Sequence, residues 1–177
     1  MIELQVLTAD DWPRWRELRL AALAEAPYAF GSRLADWQGE GDREERWRSR
    51  LSIPGSWNIV AALDGKPAGM AGGIPGSRKG VVELISLWVG AEARGRGVGD
   101  RLVQAVGQWA VQGRAEVLEL FVTPGNAHAM ALYRRHGFED AGPLGEVLPD
   151  GRREHLMTKR LSPGSTSWST APPLRAR

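Results

Sequence analysis

The chain has 177 residues, of which 42% are hydrophobic and 25% are charged, which is typical of one folded domain with a full core. A net charge of only +2 gives no electrostatic case for a nucleic-acid partner, and the absence of cysteine excludes disulfides, a thiolate nucleophile and Cys-ligated zinc. No apolar run approaches the ~20 residues of a membrane span, and Met1-Ile2-Glu3 lacks the basic and apolar features of a signal peptide, so we expect a cytoplasmic protein without a membrane partner.

The first half of the chain predicts a strand, two helices and a hairpin. Thr8 or Asp10 is the predicted cap of the first helix, which Pro27 ends, and Asp42 is the predicted cap of the second. The dipeptide Asp64-Gly65 favours a tight hairpin turn between two strands. The predicted bounds are 2–7 for the strand, up to about 25 and 43–51 for the helices, and 57–63 and 67–74 for the hairpin strands.

The second half predicts alternating strands and helices. Val81 to Val89 is too short and too rich in β-branched residues for a helix, so it is a predicted buried strand. A helix follows from Val98, with apolar residues at helical spacing as far as Ala110. Further strands are predicted at 116–122, 138–142 and 153–161, with a helix between the first two of them. Residues 1–161 form the predicted domain, and 162–177 a Ser/Thr/Pro-rich tail that we expect to be disordered.

The junction between strand 81–89 and the next helix is a glycine loop with the sequence Arg94-Gly95-Arg96-Gly97-Val98-Gly99. Three glycines allow backbone N–H groups to converge at the positive end of a helix dipole, which attracts phosphates. The loop has no Lys-Ser or Lys-Thr after its glycines, so it is not a P-loop, and neither register fits the dinucleotide motif Gly-x-Gly-x-x-Gly. The glycine loop therefore predicts a different phosphate-bearing ligand.

A second motif lies downstream, between Val122 and Phe138. It contains Asn126, Ala129 and Tyr133 on one face of a helix, with the small Ala129 leaving room for an extended ligand between the other two. Gly137 is the predicted glycine that ends this helix. Arg-x-x-Gly-x-Gly, followed by Val-x-x-x-Asn-x-x-Ala-x-x-Leu-Tyr and Gly-Phe, resembles the two signatures of the GNAT family of N-acetyltransferases.

This resemblance covers nearly the whole chain and implies the fold and the cofactor. The implied fold is α/β (α+β), with a mixed, mostly antiparallel sheet of about seven strands, splayed at the cofactor site and flanked by about four helices. The implied cofactor is acetyl-CoA, used as a co-substrate without any metal, with the pyrophosphate on the glycine loop and the pantetheine arm in the gap of the sheet. The residues expected to bind it, several of them through backbone groups only, are Leu87, Trp88, Val89, Arg94, Gly95, Arg96, Gly97, Val98, Gly99, Asp100, Asn126, Ala129 and Tyr133.

Two residues are the candidates for proton transfer. The resemblance makes Tyr133 the general acid that protonates the departing thiolate. Glu83 lies fourteen residues before Gly97, a spacing that resembles the strand glutamate acting as base in histone-acetylating members. The alternative for Glu83 is an exposed glutamate or one paired with Arg78 or Lys79. It also has the strand parity of Leu87, unless a bulge separates them.

The acceptor is expected to be the primary amine of a small molecule. Glu119 is a weaker candidate base. Phe121 stands where members that acetylate ribosomal-protein N-termini often have a carboxylate, which counts against that substrate. Arg43, Arg46 and Arg50 share a helix face and are expected to form surface salt bridges with Glu44 and Glu45. The alternatives are a peptide or protein amine, or a non-catalytic acyl-CoA-binding regulatory module, and a homodimer is possible because dimers are common among relatives.

Overall fold

A computed structural model of the chain describes residues 1–26 and 33–162. The helices are α1 (Trp12–Glu25), α2 (Glu44–Leu51), α3 (Val98–Gln112) and α4 (Ala127–Arg135). The strands are β1 (Ile2–Val6), β2 (Trp57–Leu63), β3 (Lys66–Pro75), β4 (Val81–Val89), β5 (Val117–Val122), β6 (Glu139–Gly142) and β7 (His155–Arg160). This order confirms the expected succession of strands and helices. The predicted disordered tail lies outside the described residues from position 163 onward, as does Pro27.

The seven strands form one mixed sheet in the order β1-β2-β3-β4-β5-β7-β6, which confirms the predicted fold class. All neighbouring pairs are antiparallel except β4 and β5, which run parallel. Asp64 and Gly65 connect β2 to β3 with φ of 51° and 79°, the two left-handed conformations that a two-residue hairpin turn requires. No helix within the described ranges is long and apolar enough to cross a membrane.

The sheet has a hydrophobic core on each face. On one face, α3 and α4 bury residues such as Leu102, Val106 and Tyr133 against the sheet. On the other face, α1 and α2 bury Trp15 and Trp47 against β2 and β3, both with no exposed surface. Burial of this kind is the main favourable contribution to folding. The two helix pairs therefore lie on opposite sides of the sheet.

A β-bulge interrupts β4 at Ser86 and Leu87. Ile85 pairs with Gly72 and Trp88 with Met70, so two residues of β4 lie opposite one residue of β3. Ser86 has a φ of 57°, a left-handed conformation that is uncommon for a residue with a side chain.

The bulge reverses which face each side chain of β4 occupies. Leu84 belongs to the α3/α4 core before the bulge, whereas Leu87 and Val89 pack on that same core after it. Trp88 packs on the α1/α2 core. Glu83 and Leu87 therefore lie on opposite faces, the alternative that the sequence analysis left open for a bulge, because the extra residue shifts the alternation of the strand by one.

The sheet is splayed between β4 and β5. These strands pair only from Val81 to Glu83 on β4 and from Val117 to Glu119 on β5. Beyond that point β5 continues to pair with β7, while the rest of β4 stays with β3. A gap therefore opens between the carboxyl ends of the two parallel strands, which confirms the splayed sheet that the family resemblance implied.

The helix ends show one correction and one confirmation. Arg43, not Asp42, occupies the N-cap position of α2. The Asp42 carboxylate instead accepts hydrogen bonds from Arg16 Nε at 2.7 Å and Trp47 Nε1 at 2.8 Å, which hold its pKa at about 2. At the end of α4, Gly137 is left-handed at φ 87°, and Phe138 N donates to Tyr133 O at 3.1 Å, so the predicted glycine ending is confirmed.

Candidate active site

The glycine loop, residues 94–99, lies at the N-terminus of α3. Gly97 is the N-cap residue with a φ of 84°, and no side chain among the described residues caps the helix there. Gly95 is also left-handed, at φ 72°; a Cβ placed on it would meet no atom within 4 Å, and one on Gly97 would meet only Ile2 Cδ1 at 3.8 Å. The backbone of the loop is therefore open to a ligand, and the first N–H groups of α3 point towards it.

Both arginines of the glycine loop already have carboxylate partners. Arg94 forms an ion pair with Glu25 and donates from Nε to the carbonyl oxygen of Val89 at 3.1 Å. Arg96 Nη2 lies 3.1 Å from Asp64 Oδ2, and Asp64 also pairs with the N-terminal amine of Met1. The positive charge at the loop is thus largely neutralised, so backbone donors are the main attraction for an anion.

Gly99 and Asp100 connect α3 to α4. A Cβ on Gly99 would lie 3.1 Å from Leu132 Cδ2, so this glycine allows the two helices to pack closely. The Asp100 carboxylate lies 2.7 Å from His136 Nε2 and 3.1 Å from Arg135 Nη2, and these contacts hold its pKa below the usual value. Val98 is buried in the core.

Asn126, Ala129 and Tyr133 lie at the start of helix α4 and along it, where the second motif predicted a helix. Asn126 is the N-cap residue, and its Oδ1 accepts a hydrogen bond from Ala129 N at 3.3 Å. This cap uses the oxygen of the amide and leaves its two N–H donors for other contacts. Tyr133 is buried against Phe138, with ring centroids 5.8 Å apart, and burial raises its pKa well above the ordinary value. Tyr133 therefore keeps its hydroxyl proton at neutral pH.

A cavity of about 690 Å³ lies at the splay of the sheet, and we refer to it as the main cavity. It is lined by residues from both faces: Tyr133 belongs to the α3/α4 core, whereas Arg50 stacks on Trp15 of the α1/α2 core. Glu83 and Leu87 line it from β4, so the structure brings the candidate acid, the candidate base and the bulge together. The glycine loop is not among its lining residues.

Glu83 is half-buried in the main cavity. Burial raises its pKa, and the neighbouring carboxylates of Glu119 and Glu154 raise it further. Glu119 lies beside Glu83 in the β4–β5 register and is itself buried. Within the described ranges Glu83 forms no ion pair with Arg78 or Lys79. The structure therefore favours the interpretation of Glu83 as a carboxylate facing a site.

The sequence analysis missed three arginines that line the main cavity, Arg19, Arg50 and Arg153. Arg19 of α1 and Arg50 of α2 are both buried enough to lower the pKa of each to about 10, and the charge of Arg19 contributes to the shift of Arg50. The expectation that Arg50 forms a surface salt bridge is wrong, because the α2 face that carries it turns inward over Trp15. Arg43, in contrast, pairs with Glu45 on the surface. Nothing in the local sequence distinguishes the inward-facing Arg50 from Arg43 on the surface.

Among the residues that the structure describes, no group of histidines and carboxylates is arranged to hold a metal ion. The splayed sheet, the glycine loop at the start of α3 and the buried tyrosine of α4 together define a GNAT fold. The profile of the Acetyltransferase (GNAT) family matches residues 12–138. The chain belongs to the GNAT family of acetyltransferases.

Individual relatives agree with this assignment. The chain is 32% identical over 142 residues to the mycothiol acetyltransferase of Clavibacter sepedonicus, a match that covers 79% of this chain and 43% of that protein. The chain thus spans less than half the length of that relative. Among solved structures, a GCN5-related N-acetyltransferase from Kribbella flavida is 26% identical with a TM-score of 0.72, covering 90% of this chain and 98% of that one.

A structure solved with acetyl-CoA shares the fold. It is yncA of Salmonella typhimurium, described as a putative acetyltransferase, with a TM-score of 0.72, 20% identity and coverage of 96% of this chain and 99% of that one. At this identity the likeness concerns the fold alone.

Proposed function

We propose that the protein is an N-acetyltransferase that moves an acetyl group from acetyl-CoA to the primary amine of a small molecule. One observation carries the proposal: the gap between β4 and β5 has an anion-binding glycine loop at α3 and a cavity with a buried tyrosine and a half-buried glutamate. A long carrier with a phosphate-rich end and a reactive end fits this arrangement.

The residues present fit acetyl-CoA. The open backbone at Gly95 and Gly97 accepts a pyrophosphate without a steric clash, and the unpaired edge of β4 beyond Glu83 offers backbone groups to the amides of pantetheine. Leu87 lies in the bulge, which interrupts the regular ladder between β4 and β3. When bound, acetyl-CoA supplies a thioester carbonyl as the electrophile.

The side chains of the main cavity supply the proton transfers. Glu83, directly or through water, accepts a proton from the ammonium group, so the neutral nitrogen can attack the carbonyl carbon. As the N–C bond forms and the C–S bond breaks, Tyr133 Oη donates its proton to the sulfur, and the second proton released by the nitrogen on amide formation restores the tyrosine hydroxyl. The Leu87 N–H can stabilise the negative charge that develops on the carbonyl oxygen. Attack is direct, and no covalent enzyme intermediate is required.

The size of the main cavity favours a small acceptor. About 690 Å³ lies within the range that holds small ligands, and the lining comes from several segments of the chain. We therefore place a small-molecule amine ahead of a peptide or protein amine. The proposed reaction needs no nucleic acid or membrane.

The first test is a calorimetric titration of acetyl-CoA into the purified protein, followed by a panel of small amines with acetyl-CoA in excess. We expect saturable binding and turnover with at least one amine. Tyr133→Phe is expected to lower kcat by about 10²-fold or more while leaving the acetyl-CoA affinity unchanged. Binding without turnover on any acceptor would favour a regulatory acyl-CoA-binding module, and no binding would refute both.

A further inference from the structure

Charged groups of both signs line the main cavity. Arg19 and Arg50 come from the two helices on one face, whereas Glu83, Glu146 and Glu154 come from β4 and from the segment before β7. Arg153 also lines the cavity from that segment, where its Nη1 donates to Gly145 O at 2.9 Å. The pKa of Glu83 is raised by burial and by the carboxylates of Glu119 and Glu154, and no arginine contributes to this shift. The pKa of Arg50 is lowered by burial and by the charge of Arg19, and no carboxylate contributes to this shift. Arg50 and Glu83 therefore line the same cavity without acting as counter-charges to each other.

Arg50 is held rigidly by neutral groups. Its Nη1 donates to Asn58 Oδ1 at 3.0 Å, its Nη2 donates to Ser86 Oγ at 3.2 Å, and its guanidinium carbon lies 4.9 Å from the ring centroid of Trp15. These two bonds use two of the five N–H donors of the guanidinium group. The rest of the fork is suited to a carboxylate, which it binds with two parallel hydrogen bonds.

Nothing within the described ranges neutralises Arg50. No carboxylate there lies within ion-pair distance of it, and residues 27–32 and 163–177 contain neither Asp nor Glu. A buried charge is costly unless it is paired. Arg50 and Glu83, which line the same cavity, therefore complement a ligand that carries both a carboxylate and an ammonium.

We propose that the acceptor is a small amino acid, whose amine lies at Glu83 and whose carboxylate is held by Arg50. This inference rests on the proposed acetyltransferase function and names the substrate class of its acceptor site. The apolar part of the lining, which includes Ile85, Phe121 and Leu144, suits a hydrocarbon side chain. Ser86 connects the proposed carboxylate site to the strand that faces the thioester, because it lies in the same bulge as Leu87 and its hydroxyl accepts a hydrogen bond from Arg50.

The test uses pairs of acceptors that differ only in the carboxylate. Leucine is compared with leucinamide, phenylalanine with phenylalaninamide, and 4-aminobutyrate with its amide, all with saturating acetyl-CoA. We expect at least one free acid to have a kcat/KM about 30-fold or more above that of its amide. The amine of an α-amino-acid amide loses its proton more easily than that of the acid, so amine reactivity alone would favour the amide in the first two pairs.

Arg50→Gln separates carboxylate binding from a purely structural role. We expect it to raise KM for the acid by about 30-fold or more, to leave kcat/KM for the amide nearly unchanged and to keep acetyl-CoA affinity, with partial rescue in Arg50→Lys. The matched control is Ser86→Ala, which removes one anchoring bond but keeps the guanidinium. If Arg50 only braced the bulge, Arg50→Gln would lower the rates with acid and amide equally.

Two outcomes overturn the inference. Equal turnover of acids and amides would refute an amino-acid acceptor and leave the acetyltransferase function standing. If no amine is acetylated, the proposed function fails. Binding of an amino acid is then tested separately, from the thermal stabilisation of the CoA-bound protein by leucine and by leucinamide. Stabilisation by leucine only would still support the carboxylate site, whereas equal or absent stabilisation would refute it.

Discussion

The glycine loop and the main cavity both contain arginines, yet their charges are arranged differently. Arg94 and Arg96 pair with Glu25 and Asp64, so the loop presents mainly backbone donors to its ligand. Arg50 is held by neutral oxygens and a tryptophan ring, and its charge is still available to a ligand. The carrier would thus be recognised by the shape and dipoles of the backbone, whereas the acceptor would be recognised by side-chain charge.

Replacing the candidate base tests the acidic half of the cavity most strongly. We expect Glu83→Gln to lower kcat/KM by about 10²-fold at neutral pH, because the amine then lacks its proton acceptor. Burial and the facing carboxylates of Glu119 and Glu154 raise the pKa of Glu83, so the kcat/KM of the wild type should rise as the pH passes through that pKa. This rise should be absent from the variant. Steady-state rates across pH measure both effects, and an unchanged pH profile would exclude Glu83 as the base.

Stability offers an independent check on Glu83. Because the pKa of Glu83 is higher in the folded than in the unfolded state, its protonated carboxyl contributes to stability at pH values below the unfolded pKa. This contribution is lost as the pH rises through the folded pKa. Glu83→Gln should therefore unfold at a higher temperature than the wild type near neutral pH, but not in mild acid. Equal melting temperatures at both pH values would indicate that Glu83 is solvated.

The backbone of the glycine loop is tested by Gly97→Ala. The left-handed φ of 84° penalises any side chain, so the loop should rearrange and acetyl-CoA affinity should fall by about tenfold. Gly151→Ala is the matched control, since Gly151 has the same φ in a distant turn where a Cβ meets no atom within 4 Å. Calorimetry should show a loss of affinity only for Gly97→Ala, and an equal loss in both would mean that global destabilisation is responsible.

Asn126 separates helix capping from carrier binding. Asn126→Ala removes the cap of α4 and should lower the free energy of unfolding by about 1 kcal/mol, measured by denaturant titration. Asn126→Asp keeps the capping oxygen and should preserve stability. If the amide N–H groups contact the carrier, the aspartate variant should nevertheless bind acetyl-CoA more weakly, whereas unchanged binding would leave capping as the role of this residue.

The smallest effect is expected from the ion pairs of the glycine loop. Asp64→Asn releases Arg96 and the N-terminal amine, so acetyl-CoA affinity should increase, by less than about fivefold and more at low salt than at high salt. Asp10→Asn makes the same change of charge beside Arg48, away from the loop, and should have no effect on the affinity. A fall in affinity in Asp64→Asn would show that Asp64 positions Arg96 rather than neutralising it.

The sequence predicted the fold and the glycine loop because their signals are local. Alternation, helical spacing and turn residues such as Asp64-Gly65 act over a few positions, and each was found close to its expected bounds. The sequence left open whether Glu83 and Leu87 share a face, since the bulge between them depends on pairing with β3. Arg50 was interpreted as a surface residue because its inward direction is fixed by Trp15, Asn58 and Ser86, which are far from it in the chain.

The bulge at Ser86 allows one strand to contribute to two separate binding tasks. Upstream of it, the side chain of Glu83 lines the main cavity; downstream, Leu87 and Val89 pack their side chains on the opposite face and leave their backbone beside the gap. In the proposed reaction, substitutions upstream would therefore change the acceptor without altering the binding of the carrier. Deletion of one residue at the bulge would merge the two registers, so this single inserted residue would let new acceptor preferences arise on an unchanged proposed donor site.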